Sequence, residues 1–290
     1  HSKADAQRLL QQAHQQADQG RLQSAIATSQ QALNLAQQIQ ARDIEAVALL
    51  AMGDYSNTLG QAQQALKYYQ QALSIYQELG DRDGVAATLR KLGIFYRQLG
   101  DFQQALTAFN QVLQIRQELG DRIGEANTLN SLGLVYRRIG RLARASTVHH
   151  QALQIRREIG DRYGESLSLR NLGWVYQSLG QPQQALEHFQ QSLLIAQEMG
   201  DRDAIVHTLR GLGNLYNYGL GEFQQALTVL NQALHIQREI GDRDGEATIL
   251  NNLGLVYRRT GQLDQALTTH HQALQIRREI GDRDGESLSL

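Results

Sequence analysis

The side chains best suited to chemistry in this sequence are nine histidines, a set of regularly placed glutamates and a recurring row of arginine and asparagine. Pairs at His149–His150 and His270–His271 suggest a metal site, but neighbours on a helix project about 100° apart, so neither pair forms a ready two-ligand site. His149 and His270 take the register position that Phe109 and Phe189 hold elsewhere, which assigns them to packing or hydrogen bonding. Glu125, Glu165, Glu246 and Glu286 recur near helix starts, where free amides and the helix dipole favour a carboxylate, a structural duty rather than acid catalysis. There is no Walker, G-x-G-x-x-G, H-E-x-x-H or G-x-S-x-G motif, and no cysteine to form a thiolate nucleophile, a thiolate metal site or a disulfide. The expectation is a chain that is not an enzyme, with no metal and no cofactor.

The third set is more informative. Arg90, Ile94 and Arg97 fall at i, i+4 and i+7, on one helix face, and the equivalent triplets are Asn130, Leu134, Arg137; Arg170, Trp174, Gln177; Arg210, Asn214, Asn217; and Asn251, Leu255, Arg258. A solvated face would account for any single arginine. Asparagine, however, is a poor interior helix former with no evident folding reason to recur. Trp174, the only tryptophan, lies within the same row, where a large ring can anchor a partner. Acids are missing from these triplets, whereas Asp18 and Asp54 occupy related faces earlier in the chain, so the middle and C-terminal part of the row is expected to be positive. Nucleic acid would suit the same arginines, but few lysines and aromatic stacking positions accompany them.

The elements that position this row are repeats. "LGDRDG" at Leu79 returns at Leu119, Ile159, Met199, Ile240 and Ile280, at spacings of 40, 40, 40, 41 and 40 residues. Each period holds two amphipathic halves: Leu89, Leu92 and Tyr96 share one helix face, and Ala105, Phe109, Val112 and Ile115 share another. Gly100 between them suits a left-handed helix end, and Asp101 suits the cap of the next helix. Gly53, Gly93, Gly133, Gly173, Gly213 and Gly254 lie inside the first helix, where glycine costs about 1 kcal/mol relative to alanine. The expected reason is close approach of the paired helix, with Ala105, Ala145, Ala185, Ala226 and Ala266 as the small surface opposite.

The pattern L-x2-L-G-x2-Y followed by A-x3-F resembles the tetratricopeptide repeat (TPR), and the 40-residue period resembles the subgroup of kinesin light chains, Pins/LGN-type adaptors and bacterial and cyanobacterial regulators. The resemblance implies an all-α, right-handed superhelix of antiparallel helix pairs, at about 3–40, 43–80, 83–120, 123–160, 163–200, 203–241 and 244–281, with 284–290 opening an eighth. The residue added in repeat six is expected in the turn between Asn217 and Gln225. Leu288 and Leu290 would leave an apolar face open to self-association, as in a chain cut from something longer.

In the families resembled, the first helices line an inner groove, where asparagines hold a peptide backbone and basic residues meet its carboxylates. The resemblance therefore implies a protein-interaction scaffold for an acidic or amphipathic peptide, on Arg90, Arg97, Asn130, Arg137, Arg170, Trp174, Arg210, Asn214, Asn217, Asn251 and Arg258. A self-associating spacer and a sensor module of a larger protein are the alternative roles. A net charge of −1 gives no global pull towards nucleic acid or membrane. With no long apolar run and no secretory leader in the sequence, the expectation is a cytoplasmic protein without membrane insertion.

Overall fold

A computed structural model describes residues 2–282; Glu286, Leu288, Leu290 and the rest of segment 284–290 lie outside the described residues. Among the described residues the secondary structure is helical throughout, with no strand. In chain order the helices are α1 (Lys3–Asp18), α2 (Leu22–Gln38), α3 (Arg42–Thr58), α4 (Ala62–Leu79), α5 (Arg82–Gln98), α6 (Phe102–Glu118) and α7 (Arg122–Arg138). They continue as α8 (Leu142–Glu158), α9 (Arg162–Ser178), α10 (Pro182–Met199), α11 (Arg202–Asn214), α12 (Phe223–Ile240), α13 (Arg243–Arg259) and α14 (Leu263–Ile280). Two compact units result, one ending at Val135 and the other beginning at Tyr136. From α1 to α6 in the first unit, and from α8 to α14 in the second, each helix packs against its neighbours in sequence.

Each break in the helix run carries a turn signal. Gly100 and Gly120 take φ of +79° and +67°, the left-handed conformation that ends a helix. Asp81, Asp101, Asp161, Asp201 and Asp242 then start the next helix, each accepting a hydrogen bond from the amide three residues on. The first repeat lacks the glycine at its end, and Gln40 adopts φ +58° in its place.

The interior glycines do mark close approach, but to rings and branched side chains rather than to alanine. A Cβ added at Gly93 would come within 2.7 Å of the Phe109 ring; at Gly173 it would meet Phe189 at 2.7 Å and at Gly213 the Leu230 side chain at 2.6 Å. Tyr69 and His270 fill the same sockets at Gly53 and Gly254, each at 2.6 Å. Ala105, Ala185, Ala226 and Ala266 are buried one helical turn before those side chains. Each first helix thus gives up a Cβ so that one large side chain of its partner can lie across its backbone, where its dispersion contacts outweigh the lost helix propensity.

A second row of sockets joins successive pairs. The Arg156 side chain, 1% exposed, crosses Gly164 so closely that an added Cβ would sit 2.6 Å from its Cδ, and Arg116 crosses Gly124 at the same distance. Tyr76 covers Gly84 and Gln237 covers Gly245 likewise. Where α10 offers only Ala196 at this register, the position opposite is Ala204.

Charge closes each hairpin from outside. The arginine that opens each first helix, in the G-D-R motif except at Arg42, reaches the glutamate at the end of its own second helix: Arg42 to Glu78, Arg82 to Glu118, Arg162 to Glu198, Arg202 to Glu239 and Arg243 to Glu279. Arg42, Arg122, Arg162 and Arg243 also hold the buried carboxylate three residues on, Glu45, Glu125, Glu165 and Glu246. Arg157 and Arg238 add a bond from the preceding helix to Glu165 and Glu246. The arginines are exposed and their pairs salt-screened, so this ladder fixes register more than it adds stability.

The extra residue of repeat six lies not in the turn but in the helix. Leu215–Leu220 winds as a π-helical turn that lengthens α11, and Gly221 supplies the left-handed end at φ +70°. An insertion widens the helix here because a π turn keeps the flanking apolar register while adding one residue. Asn217 is only 2% exposed within it, and Arg259 of α13 bonds both its carbonyl and its Oδ1 while lying 5.0 Å over Tyr218 and 5.2 Å over Phe223.

The second row of sockets sets a measurable rule. Gly164→Ala should destabilise the protein by about 1–3 kcal/mol through overpacking against Arg156. Arg156→Ala with Gly164→Ala reproduces the Ala196 and Ala204 combination, so the double variant should lose less than the sum of the single losses. Denaturant melts of the four proteins would show this; strict additivity would mean that the two positions do not share one space.

Candidate functional site

Within each unit the first helices of successive pairs touch one another, α1 with α3 and α3 with α5 in one, α9 with α11 and α11 with α13 in the other. Each unit therefore has its own first-helix surface, and the row of arginine and asparagine is carried on these. In the first unit, Arg90 on α5 is exposed, while Arg97 and Asn130, on α5 and α7, are half-buried. Asp54, expected to make this part acidic, is neutralised by Lys91 at 2.8 Å and accepts a hydrogen bond from the Tyr69 hydroxyl.

In the second unit the row splits into two groups. Arg137, Arg170, Trp174, Arg210, Asn214 and Arg258 remain accessible to some degree. Trp174 is half-buried and packs edge-on against Phe189, with ring centres 5.5 Å apart. Asn217 and Asn251 depart from the expectation of peptide contact. Asn217 is buried in the π turn and held by Arg259; Asn251, also buried, has its Oδ1 3.1 Å from His270 Nδ1. Both are taken up by the fold, because the register that faces outward in earlier repeats turns inward at the insertion and beside a histidine-filled socket.

Arg170 and Arg210 occupy the same register of neighbouring first helices. They lie on adjacent helices α9 and α11, both half-buried, and no carboxylate is within ion-pair distance of either among the described residues. Burial lowers the pKa of each guanidinium, and the charge of Arg210 lowers Arg170 further. Arg137 is likewise lowered, by desolvation and by Arg138. The ladder arginines Arg42, Arg162 and Arg243 shift upward instead, held by their glutamates. Desolvated cations without a counter-ion are costly to fold and attractive to an anion.

Two adjoining cavities open beside this pair. One, of about 370 Å³, is lined by Tyr163, Ser166, Leu167, Arg170, Asp201, Asp203, Ala204 and His207.

 The other, of about 120 Å³, is lined by Asp203, Val206, His207, Arg210, Gln237, Asp242, Asp244, Gly245, Thr248 and Ile249. Asp203 and His207 border both. The sequence row misses these two and Tyr163, although Asp203, His207, Arg210 and Asn214 follow one another at helical spacing on one face of α11. The positive row is therefore edged by acids from the turns, a feature that triplets counted along single helices do not reveal. Among the described residues no group of three or more histidine or acidic side chains is arranged to hold a metal ion, and no helix is long and apolar enough to cross a membrane.

A family model described as tetratricopeptide repeat matches overlapping segments 4–78, 44–118, 84–158, 124–198, 169–239, 204–279 and 245–290. A comparison with curated proteins finds no match. Among solved structures, the chain is similar to the apo form of RapI, with a TM-score of 0.75 at 16% identity over 96% of this chain and 99% of that one. It is also similar to a signal transduction ATPase with numerous domains, carrying a tetratricopeptide repeat sensor, from Pyrococcus horikoshii: TM-score 0.77 and 14% identity over 97% of this chain and 44% of that one. A third is a Rap protein complexed with competence and sporulation factor, with a TM-score of 0.63 at 14% identity over 99% and 96% of the two chains. At these identities the likeness is one of fold.

The histidines stand apart from the arginine face. His149 is fully buried with neither ring nitrogen hydrogen-bonded, and burial, followed by the charges of Arg137, Arg156 and His150, pushes its pKa down to about 3. The unfolded chain binds this proton near the ordinary value of about 6.5, so stability is lost as pH falls below that value and continues to fall towards the folded value. The expected slope is roughly 1.4 kcal/mol per pH unit in that window. His149→Phe, which copies Phe109 and Phe189, should remove this component and stabilise the protein at acid pH. Melting temperatures of both proteins between about pH 7 and 4 would check it; parallel curves would refute the assignment.

Proposed function

Because the chain belongs to the tetratricopeptide repeat family, whose arrays are protein-interaction scaffolds, we propose that the first-helix face of its second unit binds an extended acidic or amphipathic peptide segment. The observation that carries this reading is the contrast between arginines. Those of the hairpin ladder are matched by carboxylates, whereas Arg170 and Arg210, half-buried on the first-helix face, are not. A partner carboxylate in their place offsets the desolvation of the guanidinium groups and makes charge-assisted hydrogen bonds. Trp174 and Leu255 give apolar side chains of the segment a place to rest, and Asn214, Arg137 and Arg258 add polar contacts along the same row.

A second reading has support from the Pyrococcus horikoshii protein, in which a tetratricopeptide repeat sensor is one part of a longer signal transduction ATPase. On that reading the segment bound here belongs to a regulated neighbour, and the same face does the binding. The two differ in where the partner comes from, not in the chemistry of contact.

Peptide-library selection on the purified protein, followed by titration of variants at two salt concentrations, tests the proposal. Arg170→Glu with Arg210→Glu should weaken binding and reduce its salt dependence, since like charges replace attractive ones. Trp174→Ala should cost about 2 kcal/mol or more if the ring anchors the partner. Circular dichroism of each variant guards against unfolding. A selected peptide that binds wild type and both variants equally would move the site to the second-helix surface, and concentration-dependent association without any peptide selected would favour the self-associating spacer.

A further inference from the structure

The histidines adjacent in sequence part company in the fold: His149 is buried, whereas His150 is exposed on α8 and meets side chains of two other helices. Its Nε2 lies 3.0 Å from the hydroxyl of Tyr176 on α9, and its ring centre lies 5.9 Å from that of His188 on α10. The triangle closes with Tyr176 and His188 at 5.0 Å and His150 and Tyr176 at 6.1 Å between ring centres. Since α8 and α10 both pack on α9, three consecutive helices bring one ring each to a single point of the second unit. The fold does not demand these imidazoles. At the register of His150 other second helices carry Gln70, Asn110 and Gln190, and at that of His188 they carry Ala108, Val148 and Val229. Gln190 takes the corresponding place beside Tyr216, so a partner for the tyrosine need not be histidine.

We propose that His150 and His188, with the Tyr176 hydroxyl beside them, form a binding site for a divalent transition-metal cation of the copper or nickel type. The spacing suits such an ion. Donors about 2.1 Å from a metal and at right angles around it stand about 3.0 Å apart, which is the separation of His150 Nε2 and the phenol oxygen. Two imidazoles on one ion have ring centres roughly 4.5–6.4 Å apart, and the 5.9 Å between His150 and His188 falls in that range. The nitrogens are also in the required state. His188 Nδ1 lies 2.7 Å from the Gln184 carbonyl, which can only accept, so the ring proton is on Nδ1 and the lone pair is on Nε2 at the outer tip. Burial, then the charges of His188 and Arg157, lower the pKa of His150 and keep its imidazole neutral. Each Nε2 supplies a lone pair, the tyrosine oxygen stands at the third position, and water completes the shell. An ion there ties α8 to α10 across the end of α9 and fastens one second helix to the next. The arginine row takes no part, so the site is independent of the peptide-binding reading.

Copper(II) titrated into the full chain and followed by electron paramagnetic resonance counts the nitrogens on the ion. The variants are His150→Gln and His188→Val, which copy residues that other repeats hold at the same registers and so keep the fold. Wild type should hold one copper ion on two imidazole nitrogens. Either variant should lose the two-nitrogen signal and bind there about tenfold more weakly or worse, because one imidazole raises the effective concentration of the other. Tyr176→Phe should keep both nitrogens and weaken binding less than either histidine change. Nickel(II) should raise the melting temperature of wild type, as a ligand held only by the folded state does, and the rise should vanish in the double histidine variant. A single nitrogen on copper in wild type, or a two-nitrogen signal that survives in both variants, would put the ion on other exposed imidazoles such as His235 or His271 and overturn the site. An equal nickel-induced rise in wild type and the double variant would overturn it as well.

Discussion

The structure depends on one steric constraint: at two positions in the repeat, a first helix must come so close to a neighbour that a large side chain lies against its bare backbone. Inside a hairpin the neighbour's side chain is Tyr69, Phe109, Phe189, Leu230 or His270, set over Gly53, Gly93, Gly173, Gly213 and Gly254. Between hairpins it is Tyr76, Arg116, Arg156 or Gln237, set over Gly84, Gly124, Gly164 and Gly245. The chemistry of the filling side chain varies from phenol to guanidinium, yet the glycine stays. Volume is therefore what the register demands, and polarity is accommodated afterwards. Arg156 shows how: its aliphatic stem fills the socket while its Nη1 bonds the Gly164 carbonyl at 2.6 Å and Ser168 Oγ at 3.0 Å.

Close packing of this kind determines which charges are left over. Once first and second helices are fixed in register, the start of each first helix lies beside the end of its own second helix, and the arginine that opens it finds a glutamate there. Those ion pairs are consequences of the hairpin and recur with it. Arg170 and Arg210 lie about two turns further along, where neither has an ion-pair partner among the described residues, although Asp201, Asp203, Asp242 and Asp244 border the cavities beside them. The fold thus uses its glutamates at the hairpin ends and leaves two half-buried guanidinium groups on the first-helix face without an ion pair.

Much of this was legible in the residues. The 40-residue period, the two apolar faces per period and the glycine and aspartate at each turn predict helix pairs, because each signal is local and repeats in register. What fills a glycine socket is less legible, since the partner stands 16 or 17 residues away in the next helix and the nearer alanines are also small. The π turn escapes sequence reading for a related reason: one added residue can be absorbed by a turn or by a helix, and only Arg259, reaching back from α13, shows which. Of the arginine row, the face itself is readable from spacing, but the burial of Asn217 and Asn251 depends on contacts from α13 and α14. His207 and Asp203 could have been found by extending the α11 face one and two turns towards its start.

Repetition within the chain also separates what the fold requires from what it leaves open. In the sockets the glycine is kept while the side chain over it varies, and where α10 brings only Ala196 the position opposite is Ala204. At the row of the first helix residue type varies more: the sequence runs Arg90, Asn130, Arg170, Arg210 and the buried Asn251 at one position and Ile94, Leu134, Trp174, Asn214, Leu255 at the next. Copies of one unit that keep their packing residues and vary these have exchanged them without cost to the core. Such variation gives each pair a different surface on the same scaffold, and within the second unit it brings the half-buried Arg170, Trp174 and Arg210 onto neighbouring first helices without an ion pair for either arginine.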